Sequence, residues 1–355
     1  MQSLKNISKI ELSHIAKIIP SLTPDRYKGQ NGKIAVVGGS FDYTGAPYYA
    51  GISALKGGGD LSHIFCTETA GIPIKCYSPE LIVHNSLVSS DICKESEFDQ
   101  KRREKCVTDI TKWFDSMHSV VFGPGLGRDP LVGEYLEDLL SKIHETSTVV
   151  FDGDMLWYLS DSPVRARISK ELKSLASRTT LTPNKVEFDR LWKSVLPDKK
   201  RVGDAEKEKA KTQLKNYEAT VLEVDVDNPY VSDVVNLSRA LHNVAVSYKG
   251  EFDVISDGQK VYVVKEQGGL KRSGGQGDIL SGLMGLYTHW NSVFCENEKP
   301  SEKESRILKG CILANIITKR AAYAAFQKHK YGLTTPLIIE HLPDAIDAFA
   351  SVNHI

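Results

Sequence analysis

The sequence contains no run of about 18 apolar residues, so its hydropathy offers no membrane-spanning helix. Its opening stretch, MQSLKNISKIELSHIAKIIPSL, lacks the apolar block and cleavage pattern of a secretory signal. Early acids (Glu11, Asp25) and the absence of early arginines argue against a transit peptide, which leaves the cytoplasm as the expected compartment. Neither charge is in surplus: 45 Lys and Arg balance 45 Asp and Glu, so no global field draws the chain to nucleic acid or to a membrane. Six cysteines (Cys66, Cys76, Cys93, Cys106, Cys295, Cys311) show neither C-x-x-C nor zinc spacing with histidine and read as thiols in a reducing compartment. Two common nucleotide signatures are also missing. There is no G-x-x-x-x-G-K-[ST], and no G-x-G-x-x-G beside a first strand with an acid about 20 residues further on.

What is present is alternation. KIAVVGGS, apolar on both faces and stopped by Gly38-Gly39, has the pattern of a buried parallel strand opening onto a loop, Ser40 to Pro47. YYAGISALKGGG then reads as a helix with a glycine stop, and LSHIFCT as a second strand, which makes a βαβ unit. The pattern continues through SVVFGPGLG and the helix DPLVGEYLEDLLSKIHE, then STVVFDGD and the helix VRARISKELKSLAS. TTLTPN with KVEFDRLWK and the strand AVSYKG follow. EFDVISDGQKVYVVK carries the hairpin signal Asp257-Gly258. Two long helical patterns end the chain, SRILKGCILANIITKRAAYAAFQKH and TPLIIEHLPDAIDAFAS. The first is apolar or small almost all round and is expected to be buried; an exposed apolar face on this pair would suit a homo-oligomer. Three charged stretches, 94–105, 193–215 and 296–306, read as surface. The architecture predicted is α/β, a mostly parallel sheet covered on both faces, with the strand-end loops converging on one crevice.

Chemistry concentrates in Gly268-Gly269-Leu270-Lys271-Arg272-Ser273-Gly274-Gly275-Gln276-Gly277-Asp278, just before the helical pattern ILSGLMGLYTHW. Main-chain N–H groups free of side chains and the positive end of a helix would meet at one point, and an anion belongs there. The aspartate closing the loop stands where it can take a proton from whatever attacks that anion. A turn capping a helix is the alternative.

Five other clusters follow strands, each with two readings. Gly38-Gly39-Ser40 with Tyr43 to Pro47 is a turn or a floor for a flat ligand, and Gly123-Pro124-Gly125-Leu126-Gly127 is punctuation or a close backbone approach to substrate. Asp152 and Asp154 cap the next helix or hold Mg²⁺ through water. Asn184 and Glu187 form a capping box or hold the waters of a phosphate-bound Mg²⁺. Lys249-Gly250 matters only by its place beside the anion loop.

Taken in order, GGS..YTGAP, GPGLG, VVFDGD.LW, LTPN..EF, KG..D.IS.G and GGQGD.LSG resemble the ATP-dependent NAD(P)H-hydrate dehydratases, a branch of the ribokinase-like superfamily, from about residue 25 to 350. Gly153 stands where many members have Ala, and about 193–228 looks like a charged surface insertion in a single domain spanning 1–355. The resemblance implies a three-layer α/β/α fold. It also implies an enzyme that spends ATP to phosphorylate the hydroxyl of hydrated NADH or NADPH in the S-form, after which phosphate leaves and the reduced ring is restored. Asp278 would be the base. Gly125, Gly127, Asn184, Lys185, Val186, Glu187, Phe188, Asp189 and Arg190, with Asp278, would hold the hydrate. Lys249, Gly250, Glu251, Phe252 and Asp253 would line the ATP site together with Gly268, Gly269, Leu270, Lys271, Arg272, Ser273, Gly274, Gly275, Gln276 and Gly277. Mg²⁺ would bridge the phosphates beneath Asn184 and Glu187 through water, and an NAD(P)H-hydrate epimerase would be the functional partner. Two rivals share the loop: a small-molecule kinase of the same superfamily, acting on hydroxymethylpyrimidine, pyridoxal or a sugar, and a nucleotide sensor without turnover. The carboxylate of Asp278 disfavours the sensor, because a pure binder gains nothing from a negative charge beside a triphosphate.

Overall fold

The computed structural model describes residues 7–298 and 305–351. Among the described residues eleven strands form one sheet: β1 (Ser8–Ile10), β2 (Lys33–Val37), β3 (Leu61–Thr67), β4 (Ile82–Leu87), β5 (Ser119–Phe122), β6 (Thr148–Phe151), β7 (Thr179–Leu181), β8 (Val221–Glu223), β9 (Ala245–Tyr248), β10 (Asp253–Ser256) and β11 (Val261–Val264). Their order is β1-β8-β11-β10-β9-β7-β6-β5-β2-β3-β4. From β4 to β9 every pairing is parallel, and from β9 outward through β10, β11 and β8 to β1 every pairing is antiparallel. Chain order reverses between β2 and β5, the switch point at which an open α/β sheet leaves a crevice beyond its carboxyl edge.

Strand alternation divides the core. Ala35, Val37, Phe65, Val120, Phe122, Val149 and Phe151 pack on one face. Ile34, Val36, Ile64, Cys66, Val121 and Val150 pack on the other, beneath the helices Gln276–Glu298 and Leu308–His329. Helices on both faces make the α/β/α arrangement that the alternation predicts. Helix Gln276–Glu298 lies so close to helix Gly45–Lys56 that a Cβ at Gly282 would stand 2.0 Å from the Ala50 carbonyl oxygen. That contact fixes the loop ahead of it against the sheet.

Several elements depart from the sequence expectation. VRARISKELKSLAS is two helices, Ser162–Arg167 and Ser169–Leu175, meeting at Ile168 (φ −85°, ψ 5°). TPLIIEHLPDAIDAFAS also breaks, at His341, because Pro343 lacks the N–H that a continuous helix needs and instead sits in the first turn of Leu342–Ala350. The expected surface insertion at about 193–228 contains β8, whose Val221 and Leu222 are buried and which joins β11 to β1. The C-terminal helices bury most of their apolar residues: Leu308–His329 leaves Tyr323 as its exposed large apolar residue among the described residues. Of the charged stretch 296–306, residues 299–304 lie outside the described residues. No described helix is long and apolar enough to cross a membrane.

Candidate active site

Parallel strands bring their carboxyl ends to one edge, and main-chain bonds tie the loops there together. Gly39 N–H donates to the carbonyls of Pro124 (3.1 Å) and Gly125 (3.0 Å), and Lys249 N–H donates to the Pro183 carbonyl (2.9 Å). At Gly123 (φ 116°) a Cβ would stand 1.8 Å from the Asp152 carbonyl oxygen, so only glycine lets these strand ends meet.

Two cavities open along this edge. The larger, of about 800 Å³, runs between the Lys249–Asp253 turn, the loop after β11 and helix Leu308–His329. The smaller, of about 300 Å³, lies between Tyr43, Ala46, Gly125, Arg128, Asp154 and the start of helix Lys185–Val195. Asn184 lines both. Tyr43 and Ala46 bring the Ser40 to Pro47 loop into the lining of the smaller one.

Helix Gln276–Glu298 begins in the wall of the larger cavity, which Gln276 and Gly277 line, and a Cβ at Gly277 would stand 3.3 Å from Lys249 Nζ. Its first internal bond is from Ile279 N–H to the Gly275 carbonyl (3.1 Å), so the amides of Gln276, Gly277 and Asp278 belong to the opening turn, whose N–H groups have no carbonyl within the helix. Gly275 takes φ 94°, and a Cβ there would stand 2.8 Å from the Tyr49 ring. The Gln276 side chain closes the loop by donating to the Lys271 carbonyl (3.1 Å) and the Ser273 hydroxyl (2.9 Å).

The strand ends gather carboxylates around one lysine. Lys249 Nζ donates to Asp152 Oδ1 (2.9 Å) and stands 4.0 Å from Glu187 Oε2. Asp152, 3% exposed, also accepts from the Thr182 hydroxyl at 2.6 Å. It sits at the N-cap position of helix Gly153–Ser160 without capping it, so the capping alternative fails: the side chain turns inward to the lysine. Asp154 likewise accepts from Gly127 N–H (2.9 Å) and from Arg128 Nε (3.2 Å).

Charge crowding sets the acidities. Burial is the main influence on Asp278, with the Asp152 carboxylate next and Glu187 and Asp154 adding to it; against the pull of Lys249 they push its carboxyl up to about 7. A helix N-terminus acts the other way, but it is worth at most about 2 kcal/mol and is outweighed. Burial also raises Glu187, with Asp152 in support and Lys249 opposed. Burial alone would lower Lys249, yet Asp152 and Glu187 together hold its ammonium above the ordinary lysine value.

Asn184 and Glu187 form the full capping box, with Asn184 N–H to Glu187 Oε2 at 2.8 Å and Glu187 N–H to Asn184 Oδ1 at 3.0 Å. Glu187 Oε1 is outside those bonds. Among the described residues no group of three or more His, Cys, Asp or Glu side chains is arranged to hold a metal ion by itself. The oxygen donors that do converge, mutually repelling and short of positive charge, suit a hard divalent ion that brings waters and phosphate oxygens as its other ligands.

Of the residues expected at the nucleotide, Lys249 to Asp253 and Gly268 to Gly277 line the larger cavity, except Lys271, Gly274 and Gly275. Lys271 turns away to donate to the Tyr331 carbonyl at 2.5 Å. Gly275 backs onto Tyr49 and Thr335, and the Thr335 hydroxyl holds the Gly274 carbonyl. Of those expected at the hydrate, Gly125, Asn184, Val186, Glu187 and Arg190 line the smaller cavity, whereas Gly127, Lys185, Phe188, Asp189 and Asp278 do not; Asp278 lies beside Gly277 of the larger cavity's wall without lining either cavity. The Gly127 amide is taken by Asp154, and Lys185 is exposed on the helix surface. Phe188 is 1% exposed and packs edge-on against Tyr248, as core, and Asp189 pairs with Arg201. Sequence reasoning missed Arg128, which stacks on Trp157 at the smaller cavity. It also missed Lys319, whose Nζ lies 2.7 Å from buried Asp253 in the wall of the larger one. The break that Lys319-Arg320 makes in an otherwise apolar helix was the available signal.

A sequence profile described as NAD(P)H-hydrate dehydratase matches residues 34–344. The human ATP-dependent (S)-NAD(P)H-hydrate dehydratase is 39% identical over 326 residues, 91% of this chain and 80% of that protein. Its Arabidopsis thaliana counterpart is 36% identical over 352 residues, 98% of this chain and 87% of that protein. Among solved structures, the Bacillus subtilis ADP/ATP-dependent NAD(P)H-hydrate dehydratase co-crystallised with ATP and Mg²⁺ has a TM-score of 0.61 at 17% identity, covering 97% of this chain and 99% of that one. A ribokinase-like protein from Enterococcus faecalis gives 0.65 at 17% identity, with 95% and 94% covered, and at such identities the likeness speaks for the fold alone. Profile, relatives and motif order agree that the chain belongs to the NAD(P)H-hydrate dehydratase family.

Proposed function

We infer that the protein is an ATP-dependent (S)-NAD(P)H-hydrate dehydratase, a hydro-lyase that repairs hydrated NADH and NADPH. The observation carrying this reading is Asp278: a carboxyl near neutrality in the opening turn of the helix, next to Gly277 of the larger cavity's wall, and within electrostatic reach of Asp152, Lys249, Glu187 and Asp154. A general base is most effective with its pKa close to the working pH.

In this reading the larger cavity takes ATP and the smaller takes the hydrated ring. Asp278 removes the proton of the hydrate hydroxyl while that oxygen attacks the γ-phosphorus and ADP departs. The amides of Gln276, Gly277 and Asp278 face the charge that develops on the transferring group; preorganised donors of this kind are worth about 3–4 kcal/mol each. Phosphate then leaves the ring, the ring nitrogen supplying the electron pair and a neighbouring carbon losing a proton. Lys249, held by Asp152, keeps a positive charge beside the carboxylates. Asn184 and Glu187 would hold Mg²⁺ through water, where the ion neutralises phosphate charge.

Buried thiols, those of Cys66, Cys93, Cys106 and Cys311 among them, support a reducing compartment such as the cytoplasm. An epimerase would supply the S-form hydrate. The deciding assay incubates the protein with chemically prepared NADPH hydrate and either ATP or ADP, following absorbance of the reduced ring. Recovery of absorbance with stoichiometric phosphate release is expected. A stable phosphorylated alcohol with no recovery would make the protein a kinase instead.

A further inference from the structure

The charged segment between helix Lys185–Val195 and β8 is assigned no role by the reading above, yet its helix Asp204–Lys215 stands against the nucleotide cavity. Lys211 Nζ lies 2.6 Å from Glu251 Oε2, and Lys215 Nζ lies 3.4 Å from Glu251 Oε1. Although a lysine, Lys211 has a side chain only 15% exposed. Its ammonium is also 6.0 Å from the centroid of the Phe252 ring, and Lys265 Nζ is 5.9 Å from that centroid. Lys265 ties back to the end of the same helix, donating to the Leu214 carbonyl (3.0 Å) and to the Tyr217 carbonyl. Glu251, Phe252 and Lys265 all line the larger cavity.

The wall is therefore made from two sides. The turn Lys249–Asp253 is pinned below by Lys319, which pairs with Asp253 (2.7 Å) and donates to the Glu251 carbonyl (3.1 Å). Those lower contacts leave the Glu251 side chain unfixed, and helix Asp204–Lys215 holds it; Phe252 is covered by Lys211 of that helix and, edge-on, by Tyr230, which also donates to the Phe252 carbonyl (3.2 Å). Glu251 is 57% exposed, so without its lysines it would be free to swing into the cavity and set a negative charge beside a nucleotide polyphosphate.

We propose that Lys211, assisted by Lys215, is a positioning residue for ATP: it draws Glu251 outward and seats Phe252, so that helix Asp204–Lys215 sets nucleotide affinity without touching the hydrate. The inference rests on the larger cavity being the ATP site.

The test uses the full chain with Lys211→Met, Lys211→Glu and the exchange Lys211→Glu with Glu251→Lys. ATP affinity is read by calorimetry in the absence of hydrate, and kcat and both KM values by recovery of absorbance. K211M is expected to weaken ATP binding and raise KM for ATP about three- to fivefold, the range of a partly exposed ion pair. K211E should do so more strongly, while KM for the hydrate stays within about twofold in both. The exchange should regain at least half of the loss. Unchanged ATP affinity in K211E, an exchange no better than K211E, or parallel rises in both KM values with a fallen Tm would each overturn the positioning role. If the unmodified protein bound no ATP, the nucleotide reading itself would fall with it, which the calorimetry distinguishes from failure of Lys211 alone.

Discussion

Replacing Asp278 with asparagine separates chemistry from stability, because the two should move in opposite directions. Asparagine keeps the shape of the side chain but cannot accept the proton, so turnover should fall at least about 100-fold. Raising a carboxyl from 3.8 to about 7 means that the folded protein penalises the ionised form, by at most about 4 kcal/mol. Below pH 3.8 the group is protonated whether the chain is folded or not, and the penalty is absent. As pH rises the unfolded chain ionises first, so stability is lost progressively up to about pH 7 and the loss is then constant. The D278N protein carries no such charge. At pH 8 it should therefore melt higher than the unmodified protein, by on the order of 5 °C, with the gap closing towards pH 4. Its ATP affinity should stay within about tenfold, since a negative charge near the triphosphate has been removed. In the unmodified enzyme kcat/KM should rise with pH through an apparent pKa near 7, and that limb should vanish in the variant. Assays across pH 5 to 9, with scanning calorimetry at the same values, provide the check. Turnover within tenfold of normal, or a variant that melts lower at pH 8, would refute Asp278 as a crowded base.

The neighbouring charges should move that limb in opposite senses. Asp152→Asn removes the foremost carboxylate raising Asp278 and should shift the limb towards acid, whereas Lys249→Met removes the charge opposing the rise and should shift it towards alkali; the same displacement in both would contradict the cluster. Gly123→Ala must fit a methyl 1.8 Å from the Asp152 carbonyl oxygen at φ 116°, so chemical denaturation should show a loss of at least about 2 kcal/mol. Chelating divalent ions should abolish turnover yet leave the melting temperature of the nucleotide-free protein unchanged, because no described side-chain cluster holds an ion alone; a fall in Tm would point to a structural metal instead.

The parallel half of the sheet was legible because strands buried on both faces are continuous apolar runs with glycine or acid at the end. β2, β5, β6 and β9 fall within segments read that way, while β3 and β7 were read from the alternation of strand and helix around them. The strands not foreseen lack that signature. β4 (IVHNSL) is polar at its centre, and its His84 is accommodated by stacking on Phe65 with ring centroids 4.6 Å apart. β1 and β8 are three residues each, and β8 follows a stretch whose charge marks it as surface. The site was legible as a set of loop tips but not as a set of contacts. Spacing puts Asp152 where it can cap a helix, and only the fold shows that a lysine 97 residues away in sequence competes for the carboxylate and wins. Phe188 and Asp189 show the same limit from the other side. They belong to a helix whose first turn meets the ligand edge, and helical rotation then carries them into the core and to Arg201.

That competition explains why the carboxylates can stay so close without ligand. Four of them, Asp152, Asp154, Glu187 and Asp278, share Lys249 and the partly exposed Arg128, so at neutral pH the cluster has fewer positive than negative charges. The imbalance is relieved by protonation of Asp278, which burial and the surrounding carboxylates push up to about 7 against the pull of Lys249, while Lys249 pairs with Asp152 and Arg128 with Asp154. ATP arriving alone would add negative charge and raise Asp278 further, disarming it as a base. ATP arriving with a divalent cation still carries net negative charge, so it would return Asp278 towards ionisation only where the cation itself stands among the carboxylates, once the nucleotide is in place. The pH limb should therefore lie further towards acid for kcat at saturating Mg²⁺ and ATP than for kcat/KM of the hydrate at low ATP. An identical limb in both profiles would mean that the phosphates and their ion lie too far from Asp278 to act on it, and the two cavities would then need a different meeting point.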